Sequence, residues 1–212
     1  MPFARYLAAI ALALSLASLP TAAQAITDGV DYATLPVVQP TNSKGKVEVI
    51  EFFAYTCPHC FHFEPMLNAW AKKLPGYVVL KREPVIFNDS WEPMARAYFA
   101  LKDMGALDRL HDAVFKAIHV ENQNLMVPDV FFDWGAKQGL DRAKLKATYY
   151  SFSVSADISR AKAMQRAYQI RGVPTLAING KYTTSASMTG SYEKSLMVTD
   201  LLIEQERKSA RK

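Results

Sequence analysis

Both cysteines of the chain, Cys57 and Cys60, sit inside the stretch "EFFAYTCPHCFHFEP" that runs from Glu51 to Pro65. The residues ahead of them, "KVEVIEFFAY" (Lys46 to Tyr55), are rich in β-branched and aromatic types and apolar on both parities. That pattern predicts a central strand covered on both faces. After Cys57 the period changes, with Phe61, Leu67, Trp70 and Ala71 at helical spacing. The helix is expected to kink at Pro65 and to end near Pro75-Gly76. "YVVLKREPVIF" (Tyr77 to Phe87) reads as a second strand. A strand, a helix and a strand in about 40 residues make a βαβ unit, with parallel strands and a right-handed crossover.

From about Ser90 the alternation gives way to helices. The amphipathic "SWEPMARAYFALKDMG" stops at Gly105, and "LDRLHDAVFKAIH", "VPDVFFDWGAKQG", "DRAKLKATYYSF" and "SADISRAKAMQRAYQIRG" follow, the last reading to Gly172. Strands return at "VPTLAINGKYTT", where Asn179-Gly180 is a strong hairpin signal. "SYEKSLMVTDLLIEQERK" closes the chain as a helix with Ser191 as its N-cap. A C-x-x-C at the start of the helix of a βαβ unit is the thioredoxin-like redox signature. The expected fold is therefore α/β: a thioredoxin-like mixed β-sheet flanked by helices, with an inserted all-helical subdomain. Its expected parts are 26–88 and 171–212 for the thioredoxin-like domain and 89–170 for the helical insertion.

The first 25 residues stand apart. Arg5 precedes the uncharged run from Tyr6 to Leu19, and Ala23-Gln24-Ala25 offers a small-residue cleavage site. This is the layout of a secretory signal peptide, and the run is shorter than the roughly 20 residues a membrane span needs. Cleavage after Ala25 would leave 187 of the 212 residues and, with Arg5 gone, change the formal charge from +5 to +4. An uncleaved anchor is the competing reading. The charge surplus is partly the tail "ERKSARK", and no basic stripe interleaved with aromatics points to nucleic acid. Two cysteines in an exported chain of this size are too few for a disulfide-stapled scaffold.

The position of the pair argues for a reagent. With Cys57 at the N-cap, Pro58 takes the first helical position, where its missing N–H costs nothing. Cys60 follows one turn on, and closing so short a loop adds little stability. Cys57 faces unpaired backbone N–H groups and the positive end of the helix dipole, with His59 as a further donor, and these favour the thiolate. Each unit of pKa depression is worth about 1.4 kcal/mol, or roughly 30 mV in a two-electron couple, and it favours the dithiol over the disulfide. Cys57 is thus expected to attack and be attacked, and Cys60 to resolve. A zinc knuckle would need a second pair, and His59, His62, His111 and His119 show no matching spacing. Covalent haem would need histidine where Phe61 stands. No metal and no cofactor beyond the redox disulfide is expected; an inert structural bridge is the remaining alternative.

Glu51 lies in a strand that reads as buried, where a carboxylate is costly and its pKa rises. It is either a rim acid satisfied by Lys81, Arg82 or water, or a proton acceptor beneath the sulfurs. Glu64, four residues past Cys60, reads as a surface residue. "RGVPT" opens a returning strand, and Val173, Pro174 and Thr175 are candidates for pairing with substrate backbone. From spacing alone, the Val173-Pro174 peptide reads as an ordinary trans turn.

"EFFAYTCPHCFHFEP" and "RGVPT" resemble the DsbA family of periplasmic thiol:disulfide interchange proteins, and the similarity extends over about Asp31 to Gln205. The resemblance implies that Val173-Pro174 is a cis-proline loop facing the active site, that Glu51 is the buried acid and that Cys57 is the exposed nucleophile. It implies a periplasmic enzyme that passes its disulfide to reduced, unfolded exported proteins through an apolar groove, and a DsbB-like inner-membrane quinone reductase that reoxidises it. The chain departs from many relatives at Pro84, which bears on the pairing of Glu51 and on the surface offered to the reoxidant. A monomeric protein-disulfide oxidase is the expectation. The same fold run as a reductase or isomerase, or a peptide-binding chaperone with an inert disulfide, are its rivals.

Overall fold

The computed structural model describes residues 25–210. The leader reading for 1–25 therefore lies outside the described residues except for Ala25. Strands β1 (Ala33–Thr34), β2 (Val47–Phe53), β3 (Val78–Pro84), β4 (Thr175–Ile178) and β5 (Tyr182–Thr184) form one sheet in the order β1-β5-β4-β2-β3. The β2–β3 pair is parallel and the other pairs are antiparallel, so the sheet is mixed. Helix α1 (Pro58–Ala71) connects β2 to β3, completing the βαβ unit, and α8 (Tyr192–Ser209) closes the chain. Between β3 and β4 come α2 (Glu92–Asp103), α3 (Leu107–His119), α4 (Pro128–Lys137), α5 (Arg142–Tyr149) and α6 (Phe152–Ala167); a one-turn α7 (Ala186–Thr189) precedes α8. No helix among the described residues is long and apolar enough to cross a membrane.

β2 is buried along its whole length, and alternation sorts its side chains. Val47 and Val49 pack with Phe63 and Leu67 of α1 and Leu196, Val198 and Leu202 of α8. Ile50 and Phe52 face the other way, into Val85, Tyr168 and Ile170. Glu51 shares the parity of Val49 and so points to the α1 side. At the end of the strand and beyond it, Phe53, Tyr55, Cys57 and Cys60 belong to a third cluster built mainly from α2 to α6. The redox pair thus sits where the sheet meets the helical block.

Local signals explain most boundaries. Asn179 and Gly180 both take positive φ (51° and 68°), the turn closes with Lys181 N–H donating to Ile178 O at 3.0 Å, and Ser191 caps α8 through Lys194 N–H. Gly180 is needed a second time: a Cβ there would come within 2.1 Å of Gln39 O.

Other boundaries differ from the expectation. α1 contains Pro65, as the pattern placed it, but stops at Ala71, short of Pro75-Gly76. α6 stops at Ala167 rather than near Gly172, because Gln169 (φ 53°) adopts the left-handed turn usually given to glycine. Pro84 is the last residue of the edge strand β3, opposite Phe53. The next amide, Val85 N–H, donates to Phe53 O at 2.8 Å, so by alternation the N–H that Pro84 lacks falls on the outer side. Arg82 remains opposite Glu51.

Candidate active site

After Phe53 the chain turns once, with Cys57 N–H donating to Ala54 O at 3.1 Å, and α1 begins at Pro58. Cys57 is the N-cap residue in extended geometry (φ −87°, ψ 116°) with Pro58 at the first helical position. The amides of His59 and Cys60 face its sulfur without closing a capping bond. Both cysteines are unbridged. The Cys57 thiol is lowered to about 6, first by the Cys60 thiol donating to it, with burial opposing and the amides and charge of His59 adding to the effect. Cys60 is fully buried, and burial, then the neighbouring Cys57 and Glu51, push its thiol far up. One sulfur is an anion at neutral pH and the other a thiol that donates to it.

The Val173-Pro174 peptide is cis, and Val173 O lies 3.6 Å from Cys57 Sγ. Thr175 Oγ1 donates to Gly172 O at 2.8 Å and closes that loop. His59, Val173, Pro174, Thr175, Tyr168 and Tyr192 line a groove of about 770 Å³. Tyr192 OH donates to His59 O at 3.2 Å and lies 3.5 Å from its Nδ1, so α8 holds the exposed dipeptide against the groove wall.

Beneath the sulfurs lies a buried polar chain. Glu51 is completely buried, and its Oε2 accepts from Arg82 Nε at 3.1 Å. Burial, then the charge of Glu64, holds the Glu51 carboxyl well above the ordinary range, with Arg82 opposing. Glu51 is therefore buried rather than at the strand rim, and Arg82, one of the partners the sequence offered it, pairs with it.

Glu64 is not a surface residue. It is buried, and Arg82 Nη2 donates to it at 2.5 Å. The reason is helical spacing: Cys60 points inward, and a residue four positions on points the same way. Burial raises the Glu64 carboxyl, but His111 and Arg82 outweigh it and leave it below the ordinary range. His111 from α3 continues the chain, with Nδ1 2.7 Å from Tyr55 OH. Its Nε2 lies 3.3 Å from Glu64 Oε1, close enough for an ion pair but too poorly aligned for a hydrogen bond. His119 Nε2 is 2.8 Å from Tyr55 O and its ring stacks on Phe61.

The DSBA-like thioredoxin domain family matches residues 48–196. This chain belongs to that family. It is 41% identical over 202 residues to the thiol:disulfide interchange protein DsbA of Pseudomonas aeruginosa, covering 94% of this chain and 96% of that protein. The protein of the same name from Bordetella pertussis is 42% identical over 208 residues, covering 97% and 98%. The crystal structure of Pseudomonas aeruginosa DsbA superposes with a TM-score of 0.84 at 40% identity, covering 88% of this chain and 97% of that one. The oxidoreductase DsbA from Xylella fastidiosa gives 0.82 at 33% identity, covering 86% and 98%. Within this DsbA-family fold the structure brings Cys57, Pro58 and His59 beside Val173, Pro174 and Thr175, with Cys60 and Glu51 buried behind them. Tyr55, Tyr192 and His111 were not singled out from the sequence. A histidine and a tyrosine on otherwise apolar faces were the available signal.

Proposed function

We propose that this disulfide oxidoreductase works as a dithiol oxidase, introducing disulfides into newly exported proteins. The observation that carries the reading is the asymmetry of the pair: Cys57 lowered to about 6 at a helix N-terminus and Cys60 raised by burial. A client thiolate attacks Cys57 Sγ of the Cys57–Cys60 disulfide, and a mixed disulfide forms as Cys60 leaves and takes up a proton. A second client thiolate attacks the client sulfur, and Cys57 leaves as the stabilised anion. Two electrons pass from client to enzyme, and the client departs bridged. Glu51, held protonated by burial, is suited to supply the proton Cys60 takes up and to recover it on reoxidation.

The magnitude depends on pH. At pH 7, a thiol at about 6 instead of 9.0 favours the reduced form by about tenfold, roughly 1.4 kcal/mol or 30 mV. The full effect of about three units is reached only above pH 9. Thiol exchange itself asks for no cofactor beyond the pair. The groove beside Val173 suits an extended peptide, whose N–H groups find an acceptor in the loop. In keeping with the family, the protein acts in the periplasm as a monomer on reduced exported chains and is reoxidised by a DsbB-like membrane quinone reductase.

The test combines a glutathione redox titration with oxidation of a reduced, unfolded two-cysteine protein. The oxidase reading requires stoichiometric oxidation of the client by the bridged enzyme and its loss in Cys57→Ser. A pair that stays bridged in a glutathione buffer that reduces ordinary exposed disulfides would overturn it.

A further inference from the structure

α1 and α3 cross beside the buried charges, and there the side chains of Glu64, His111 and Asp112 each offer a ligand atom, all within 4.8 Å of one another. We propose that these three residues form a binding site for a divalent transition-metal ion of the zinc class. The site is separate from the cysteine pair and opens on a different groove.

Two of the three ligands are buried with a polar atom to spare. Neither His111 Nε2, which faces Glu64 Oε1 at 3.3 Å without an aligned hydrogen bond, nor Glu64 Oε2 has a hydrogen-bond partner, and both residues are more than nine-tenths buried. Native interiors rarely leave such atoms without a partner, and each such atom asks for an explanation. A bound cation satisfies both at once. The second ring nitrogen of His111 is already engaged: Nδ1 is 2.7 Å from Tyr55 OH. In the neutral ring with Nδ1–H donating to that hydroxyl oxygen, the lone pair sits on Nε2, the arrangement typical of metal-bound imidazole, so an ion would take the place of the Nε2 proton that faces Glu64. Arg82 occupies Glu64 Oε1 and leaves Oε2 for the ion.

Asp112 is exposed at the mouth and held loosely by Asn68 Nδ2 at 3.2 and 3.4 Å, so its carboxylate is free to close on an ion. The entry path is a groove of about 1460 Å³ lined by all three residues and by Arg82, Asn68 and Phe115. It shares no lining residue with the groove beside Val173. One imidazole and two carboxylates select zinc-like ions over magnesium or calcium, and water completes the shell. The Arg82 charge opposes the ion, so the affinity is lower than three unopposed ligands would give. In sequence the trio is unreadable, because its members come from two helices with the whole of β3 and α2 between them.

The experiment is calorimetric titration of the full chain with Zn²⁺ after oxidation, so that the bridged cysteines offer no thiolate. One ion per chain is expected, with a rise in melting temperature and no competition from excess Mg²⁺. Asp112→Asn, an exposed change, should weaken binding at least about tenfold, and His111→Gln should abolish it. His62→Gln, an exposed histidine outside the trio, should leave binding unchanged. The proposal is overturned by an oxidised wild-type protein that binds no Zn²⁺, by unaltered affinity in Asp112→Asn, or by loss of binding in His62→Gln. The Asp112 and His62 variants decide the matter even should His111→Gln not fold.

Discussion

Cys57 Sγ and the carbonyl oxygen of Val173 face each other at 3.6 Å, although 116 residues of sequence separate them. A carbonyl so placed gives no support to an anionic sulfur. On the proposed oxidase reading its use is in the mixed disulfide, where a client backbone N–H next to the bonded cysteine would donate to it. A single-cysteine peptide N-methylated at that one position should lose one hydrogen bond, about 1 kcal/mol, and react roughly fivefold more slowly. Stopped-flow rates across a series of N-methyl peptides check this. A flat series would remove Val173 from substrate binding.

The order of influences on Cys57 gives a second prediction. Alkylation of the reduced protein by iodoacetamide should be half-maximal near pH 6. The Cys60 thiol is the largest lowering influence and the charge of His59 a smaller one. Cys60→Ala should therefore move the midpoint upward further than His59→Ala, and Cys60→Ser, which keeps a donor, should move it less than Cys60→Ala. The three pH profiles test the ranking, and a larger shift in His59→Ala would contradict it.

The same lowering makes the relative stability of the two redox forms depend on pH. The thiol of Cys57 is depressed in the folded dithiol form, so the stabilisation is fully present above the unfolded value of 9.0 and is lost as pH falls through about 6. The bridged form has no such ionisation. The stability of the reduced protein relative to the oxidised one should thus grow by about 1 kcal/mol from pH 6 to pH 7, continue to rise toward pH 9, and be flat below pH 5. Urea unfolding of both forms across pH 5 to 9 measures it. A difference that does not change with pH would show that the Cys57 anion is not what favours reduction.

What the sequence disclosed depended on how local each signal was. Cys57 with Pro58, Asn179 with Gly180 and Ser191 with Lys194 are decided within four residues, and each stands where the pattern placed it. β1 is two residues long, too short to show any period, and it exists because β5 offers an open edge. Glu64 was misplaced because a carboxylate on a helix reads as solvated until the inward direction of that helix is known. A histidine on an otherwise apolar face was the one hint at His111, and its partners depend on α3 crossing α1, a tertiary fact. The redox chemistry was therefore legible in one stretch of 15 residues, from Glu51 to Pro65, while the charges beneath it needed the fold.

Arg82 is the cation between two buried carboxylates, Glu51 at 3.1 Å and Glu64 at 2.5 Å. Removing one member of such a cluster leaves the others uncompensated, which costs about 3–5 kcal/mol. Arg82→Met should destabilise the protein by that order at pH 8. Without the guanidinium the Glu51 carboxyl, already raised, rises further, and the Glu64 carboxyl loses one of the two partners that hold it down. A carboxyl raised in the folded state weakens folding once the unfolded form ionises, so the deficit should grow from pH 5 to pH 8 and shrink as both groups take protons on acidification. Adding Glu64→Gln to Arg82→Met should restore part of the loss at pH 8, because it removes the charge that the missing guanidinium leaves stranded on Glu64. Urea midpoints of the single and double variants at pH 5 and pH 8 test the scheme. A double variant less stable than Arg82→Met at pH 8 would mean that Glu64 contributes through packing or His111 rather than through its charge beside Arg82.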